Sequence, residues 1–456
     1  MASPETSKGN IQKSELRRSL TLWNLIIYGI IVVQPTAPMP SFGVISKEAH
    51  GHVVTAILIA MVAMLFTAVS YGRMARVYPS AGSAYTYVGK ELHPGLGYLT
   101  GWSMTMDYLL NPLICVIWCS KAAGNIVPEI PYAVWALGFA VLFTALNLRG
   151  VRTTARINEG LAAGMGVVII LFLVAAIRYL LRAPIAGPGF FTEPFFDPKT
   201  FSTHAVFTGT SIAVLTYLGF DGISTLSEEA ENPRRNILLA TVLVCLITGI
   251  LASVEVYVAQ LVWPSSKPFP DVDTAYVFVA GHVGGRLLFQ VVNFTLLIAN
   301  VGSGMAAQFA AARLLYGMGR DNAIPRSFFG SIEPKRGTPR NNVVLVGLLA
   351  LVGAFIFSYQ LGAELLNFGA FIAFMGVNAA AFTHYVVRRG ERTLSNLLIP
   401  VLGFGICGFI WLNLRWQAKL AGAIWLAIGI AYGLYRTRGF RERILFDVPA
   451  STEQEP

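Results

Sequence analysis

Apolar runs dominate this chain and recur along its whole length. Windows of roughly 20 apolar residues cross a hydrocarbon core as helices. Six of them fall at about 22–46, 53–77, 96–125, 131–148, 157–181 and 204–230. Six more fall at about 237–262, 284–318, 342–359, 365–387, 397–415 and 420–435. The pattern predicts an all-α integral membrane protein of about 12 spans. The polar intervals are short except 182–203, 264–282 and 320–341, and none reads as an independent soluble domain. The chain therefore divides into a tail (1–19), a ten-span body (20–390), two peripheral spans (391–436) and a second tail (437–456).

Two spans break the uniform pattern. The first reads LWNLIIYGIIVV and then QPTAPMPSFG. Prolines 35, 38 and 40 have no N–H, and each removes the helical bond to the carbonyl four residues earlier. The carbonyls of Ile31, Gln34 and Thr36 are thus expected to lose their partners. The sixth span runs apolar to Leu218 and stops at Gly219, followed by Asp221 and Gly222. The chain then turns polar at Ser227-Glu228-Glu229 and Asn232-Pro233-Arg234-Arg235. Irregular backbone at membrane depth is tolerated only where it lines a cavity or is buried in protein. A carboxylate there is a functional candidate by default. Either break alone reads equally well as an ordinary kink filled by neighbouring helices. Breaks at the same ordinal place in two five-span halves, 20–181 and 203–390, point instead to an inverted-repeat transporter with its site between them.

Charge refines the picture. The chain is 55% hydrophobic and 13% charged, with a net charge of +10 and a pI near 9.5. Such a balance suggests nucleic acid on its own, but the basic residues sit in short clusters between apolar runs and not on one face. Arg73/Arg76/Lys90, Arg149/Arg152/Arg156, Arg234/Arg235, Arg313/Arg320/Arg326 and Arg388/Arg389/Arg392 fall in one set of connections, with clusters in both tails. The other set is nearly bare. The alternation predicts cytoplasmic N- and C-termini. The first twenty residues are polar and basic, so no cleavable signal peptide is expected. Cys115, Cys119, Cys245 and Cys407 all lie in apolar runs, and the six histidines lack metal-ligand spacing.

Four stretches carry a family resemblance: YGRMARVYPSAGSAYTYVGKELHPGLGYLTGW (71–102), MDYLLNP (106–112), YLGFDGISTLSEEAENPRRNI (217–237) and RLLYGMGRDNAIPRSF (313–328). The sequence resembles the amino acid–polyamine–organocation superfamily of secondary transporters, bacterial putrescine importers above all. The resemblance implies a LeuT-type core in which spans one to five and six to ten are related by inverted symmetry. It also implies a substrate held between the two breaks and the faces of spans three, eight and ten. No cofactor and no oligomeric state is implied.

The first break departs from amino-acid-transporting members, where glycines offer free N–H groups to a substrate carboxylate. Here prolines remove donors and leave carbonyls, which favour cations. Asp221 matches the superfamily's acidic position in the sixth span, and Asp107 adds a carboxylate in the third. The candidate binding residues are Gln34, Thr36, Ser41, Asp107, Tyr108, Asn111, Tyr217, Gly219, Phe220, Asp221, Asn300 and Ser303. Each has a structural alternative. Asp221 would cap the broken span, Asp107 would bond between helices, and the aromatic residues would pack. Asn300 and Ser303 lie in a small-residue stretch, and Gly160 and Gly164 are read as close-packing positions. The amides of Ser41, Phe42 and Gly43 would still hold a carboxylate, which keeps an amino acid substrate open. Glu255 is a candidate proton carrier or a paired structural acid. Glu228, Glu229 and Arg234 are expected at a cytoplasmic gate. Some proton-coupled relatives place a lysine in the fifth span, where this chain has Met165. The reading is an importer of a putrescine-like amine working in the lipid bilayer, with protons as a candidate coupling ion. An amino acid permease is the alternative. A multi-spanning membrane enzyme is remote, since no acid, His or Ser/Cys constellation supports one.

Overall fold

The computed structural model describes residues 19–79, 82–149, 155–182, 187, 189–227, 229–264, 267–320, 324–333 and 338–436. Helices form where the apolar windows lie. The first half contains α1 (Leu22–Val33), α2 (Pro38–Glu48), α3 (Val53–Val77), α4 (Ser83–Glu91), α5 (Pro94–Ile126), α6 (Tyr132–Leu148) and α7 (Ala155–Leu180). After it come α8 (Thr203–Ala213), α9 (Pro233–Val262), α10 (Ala275–Arg320), α11 (Arg326–Phe329) and α12 (Arg340–Ile356). The chain closes with α13 (Tyr359–Phe382), α14 (Leu394–Leu412) and α15 (Trp416–Arg436). Among the described residues there is no strand, only two isolated bridges.

Nine helical segments among the described residues are long and apolar enough to cross a membrane, or ten if the bent pair α1–α2 is one crossing. The apolar helices α6 and α12 are shorter, at 17 residues each. The expected start of the eighth window, residue 284, marks a real feature. Gly285 has a φ of 68° and bends α10, so part of the interval read as a linker is helical.

The bundle is organised around α5, which packs on α4, α6, α10, α12, α13 and α15, while α3 and α9 form the other large interface. Helices α7, α14 and α15 bury little of their length and present residues such as Ile170 and Val174 outward. Apolar residues facing outward are what a hydrocarbon solvent requires. Gly160 and Gly164 of α7 correct an expectation. A Cβ at either would meet nothing within 4 Å, so they permit no close helix contact here. Gly304 of α10 does, since a Cβ there would lie 2.7 Å from the Cβ of Cys115.

At the end of the bundle carrying the basic clusters, polar ties join the elements. Glu91 of α4 is buried, 2.6 Å from His384 and 3.2 Å from Arg388. The Tyr78 hydroxyl donates to the same carboxylate at 2.7 Å. Burial, helped by that hydrogen bond, pushes the Tyr78 hydroxyl up to about 12, so it stays a donor at neutral pH. Ser83, at the start of α4, meets Ser224 hydroxyl to hydroxyl at 2.6 Å. Helix α4 thus touches both the sixth span and the end of the tenth.

Candidate functional site

The first span is two helices bent by 54°. Helix α1 ends at Gln34, whose φ of 66° is left-handed and whose N–H still bonds to Ile30 at 3.0 Å. Pro35 then forbids another helical bond. Pro38 and Pro40 do something the sequence pattern did not suggest: they begin α2. They occupy its first and third positions, where an N–H would have no helical partner anyway.

Two corrections follow. The carbonyls of Gln34 and Thr36 are not open, because the amides of Ala37 (3.1 Å) and Met39 (3.0 Å) donate to them. Of the three carbonyls expected to be free, only that of Ile31 keeps the role. The amides of Ser41, Phe42 and Gly43 are not a carboxylate cradle either. They lie past the start of α2, where an amide bonds to the carbonyl four residues back, and all three residues are buried. Thr36 carries the one amide of the turn without a partner among the described residues. The N-terminus of this half-helix is therefore almost empty of donors, which removes the usual anion site.

The sixth span breaks as expected, in a tighter form. Helix α8 passes into a 3₁₀ turn (Val214–Tyr217), then Gly219 at φ 111°, then a second 3₁₀ segment (Phe220–Leu226). A Cβ on Gly219 would sit 2.8 Å from the Val32 side chain of α1, so the two breaks meet here. Hydroxyls of the second segment satisfy its own carbonyls: Ser224 donates to Asp221 and Thr225 to Gly222, each at 2.6 Å. The Gly222 amide donates to the Gly219 carbonyl at 3.1 Å, closing the turn around Asp221. Beyond the segment, the amides of Ser19 and Leu20 donate to the Glu229 carbonyl at 3.0 Å, pinning the entry of the first span to the exit of the sixth.

Asp107 of α5 senses the charge of Asp221 in the interior, and Tyr108 senses both. Both carboxylates are enclosed by the fold, yet each residue keeps some accessible surface, and Tyr108 is 38% exposed. Tyr28 of α1, 37% exposed, also senses Asp221. Asp107 has no hydrogen-bond partner among the described residues, so it is not an interhelical tie. Asn111, one turn along, accepts from Cys115 (3.4 Å), and Ser303 of α10 lies near the same thiol. Asn300 donates back to Leu296 of its own helix at 2.9 Å.

Other candidates are sealed in packing. The Tyr217 hydroxyl donates to Ile57 at 2.9 Å, and Phe220 packs against Tyr71 (5.6 Å) and Phe374 (5.5 Å). Thr36 and Ser41 are buried, and Ser41 donates to Pro38 at 3.3 Å. Glu255 of α9 is completely buried, and neither carboxylate oxygen has a partner among the described residues. Arg234 is exposed in the first turn of α9, while Glu228 and both basic tails lie outside the described residues. No group of three or more potential metal ligands occurs among the described residues.

Two contributors had no signal in the apolar pattern. Tyr28 sits mid-run like any core aromatic. Pro112, inside α5, leaves the carbonyl of Tyr108 without a helical donor, and the sequence motif shows it only once the site is known.

Comparison with known proteins agrees with this architecture. A family model described as amino acid permease matches residues 39–437. The low-affinity putrescine importer PlaP of Escherichia coli is 36% identical over 441 residues, covering 95% of this chain and 97% of the importer. The branched-chain amino acid permease BcaP of Lactococcus lactis is 27% identical, covering 92% of this chain and 94% of its own length. The methylthioribose transporter of Bacillus subtilis is 26% identical, covering 94% and 96%. The chain belongs to the amino acid permease family of membrane transporters, and it is a carrier of small molecules, not an enzyme.

Proposed function

We propose that this permease is a secondary active transporter that imports a cationic, putrescine-like amine across the cytoplasmic membrane by alternating access. The single observation that carries the reading is the chemistry of the central space. Two carboxylates, Asp107 and Asp221, lie within electrostatic reach there, and the helix start that would bind a substrate carboxylate has lost its donors to Pro38 and Pro40. An ammonium group suits such walls, and aromatic faces such as Tyr108 add cation–π attraction. Similarity to a putrescine importer supports the same substrate class.

The reading has twelve crossings arranged as two inverted five-helix halves plus two peripheral helices, with both termini on the cytoplasmic side. The breaks in the first and sixth spans support the repeat, and the alternation of basic clusters supports the orientation. Gln34, Asn111, Asn300, Ser303 and Gly219 stand as further wall positions. Glu229 and Arg234 stand at the cytoplasmic gate. Glu255 is the candidate carrier of a coupling proton.

An amino acid substrate is the second reading, favoured by the unpartnered amide of Thr36. Purified protein in proteoliposomes decides between them. Saturable uptake of labelled putrescine, greatly weakened in Asp221→Asn, is the expected result. Uptake blocked by neutral amino acids and indifferent to diamines would select the second reading.

A further inference from the structure

We infer that Glu91 is a positioning residue for transport, which acts through α4 to tie the second half of the broken sixth span to the end of the tenth. The inference rests on the alternating-access reading above and not on which guest is carried. Glu91 closes α4, and none of its side chain is exposed. Three groups from two other elements reach its carboxylate: the Tyr78 hydroxyl at 2.7 Å, the His384 Nδ1 at 2.6 Å and the Arg388 guanidinium at 3.2 Å. Helix α13 changes form to bring the last two there. Residues Thr383–Arg388 widen into a π-helical turn, where the Arg389 amide donates five residues back to His384 at 3.1 Å. Such turns recur at functional sites. Arg388 also donates to the last carbonyls of α4, those of Lys90 (3.4 Å) and Glu91 (2.9 Å), which have no helical donor of their own.

The other end of α4 meets the break itself. Ser224, in the second 3₁₀ segment of the sixth span, spends its one hydroxyl hydrogen on the Asp221 carbonyl at 2.6 Å. In the 2.6 Å contact between the two hydroxyls, Ser83 is therefore the donor. Ser83 holds a φ of 46°, a left-handed backbone that a serine keeps only where its surroundings fix it. Between its ends α4 lies on α5 glycine to glycine. A Cβ on Gly97 would sit 2.6 Å from the Gly89 Cα, so no side chain interlocks the two helices at that contact. On the near side of the break, the Asn367 side chain of α13 donates to the Ser211 carbonyl of α8 at 2.6 Å. The tenth span thus holds the sixth on both flanks of Gly219, directly before it and through α4 after it. A break that changes its contacts in each half of a transport cycle is steered by what holds its flanks. After the break, that hold ends on the charge of Glu91.

The test is a double-mutant cycle read on uptake and on stability. Glu91→Gln keeps the shape and removes the charge, Ser83→Ala removes the hydroxyl at the far end of α4, and a third variant carries both. Initial rates of labelled putrescine uptake are measured in proteoliposomes at saturating substrate, and melting temperatures on the purified proteins. Glu91→Gln is expected to lower the rate about tenfold and Ser83→Ala about threefold, the scale of one charge-assisted and one neutral hydrogen bond. The double variant falls no further than Glu91→Gln alone, because a tie released at one end transmits nothing from the other. The losses in melting temperature add, as they do for sites about 12 Å apart, the helical rise from Ser83 to Glu91. A purely structural role would multiply the two falls in uptake. That result, or a wild-type rate in either single variant, overturns the inference. If Glu91→Gln does not fold, Arg388→Gln releases the same cluster from its half-exposed partner and takes its place in the cycle. Wild-type uptake of leucine and not of the amine overturns the substrate reading instead, and the same cycle is then read with labelled leucine.

Discussion

Glu255 is the residue whose surroundings ask most of it. It is fully buried in α9, and both of its oxygens lack partners among the described residues. An ionised carboxylate in such a place is far costlier than a neutral acid, so a proton is the ligand that fits it. Glu255→Gln keeps the shape and removes the titration. The expected outcome is uptake that no longer responds to an imposed pH gradient, with the fold intact by thermal unfolding. A variant that still follows the gradient would clear Glu255 of the role. Gly219 makes a different demand. Its φ of 111° and the 2.8 Å approach to Val32 exclude a side chain without a shift of α1. Gly219→Ala is expected to cost about 1–2 kcal/mol from the backbone alone, read as a lower melting temperature. It should slow uptake as well, because the clash falls where the two broken spans meet.

At the scale of elements, the outline of the bundle was legible and its turns were not. Apolar length is a strong signal, and every window read in the sequence coincides with a helix or helix pair. The glycine-and-carboxylate break of the sixth span was equally plain, because only glycine takes Gly219's backbone without strain. The proline turn was read correctly as a break and wrongly as a set of open carbonyls. A proline's effect depends on whether it ends one helix or starts the next, and Pro38 and Pro40 start α2. Residue type alone does not carry that distinction, nor does it show that Tyr28 senses Asp221 while Tyr217 is spent on Ile57. The correction leads to a prediction. Pro38→Ala together with Pro40→Ala returns two N–H groups to the start of α2. Neutral amino acids should then begin to compete with putrescine, gaining about five- to tenfold in apparent affinity from the new donors. Competition curves identical to wild type would mean that this helix start does not face the guest.

Across the whole molecule the two ends of the first span are unequal. Residues of α2 are buried beneath the start of α10 and the segment before it: the Phe42 ring meets Phe269 at 5.8 Å and Tyr276 at 5.5 Å, and the Val272 carbonyl lies where a Cβ of Gly43 would project. The α1 half leaves Tyr28 accessible. On the alternating-access reading proposed above, the end opposite the basic clusters is the closed one, and the question is what holds it shut. The Lys121–Asp273 pair at 2.6 Å is the obvious latch. Its electrostatics argue otherwise, since burial raises the Asp273 carboxyl above its ordinary value despite the opposing pull of Lys121. A carboxyl that binds its proton more tightly when covered favours the covered state as pH falls. The same pair holds the Lys121 ammonium above its ordinary value despite burial, so the two partners pull in opposite directions and the apolar contacts are expected to carry most of the closure. The readout is the rate at which a membrane-impermeant thiol reagent modifies Ser41→Cys from outside, the native cysteines being buried. Adding Phe269→Ala should speed labelling about threefold to tenfold, the worth of one aromatic contact of roughly 0.5–1.5 kcal/mol. Adding Asp273→Asn should not speed it. Lowering the outside pH from neutral through the raised Asp273 value should slow labelling, and the Asp273→Asn background should abolish that slowing. Faster labelling in Asp273→Asn, or at acid pH, would restore the ion pair as the latch and place the work of opening on a charge instead of on packing.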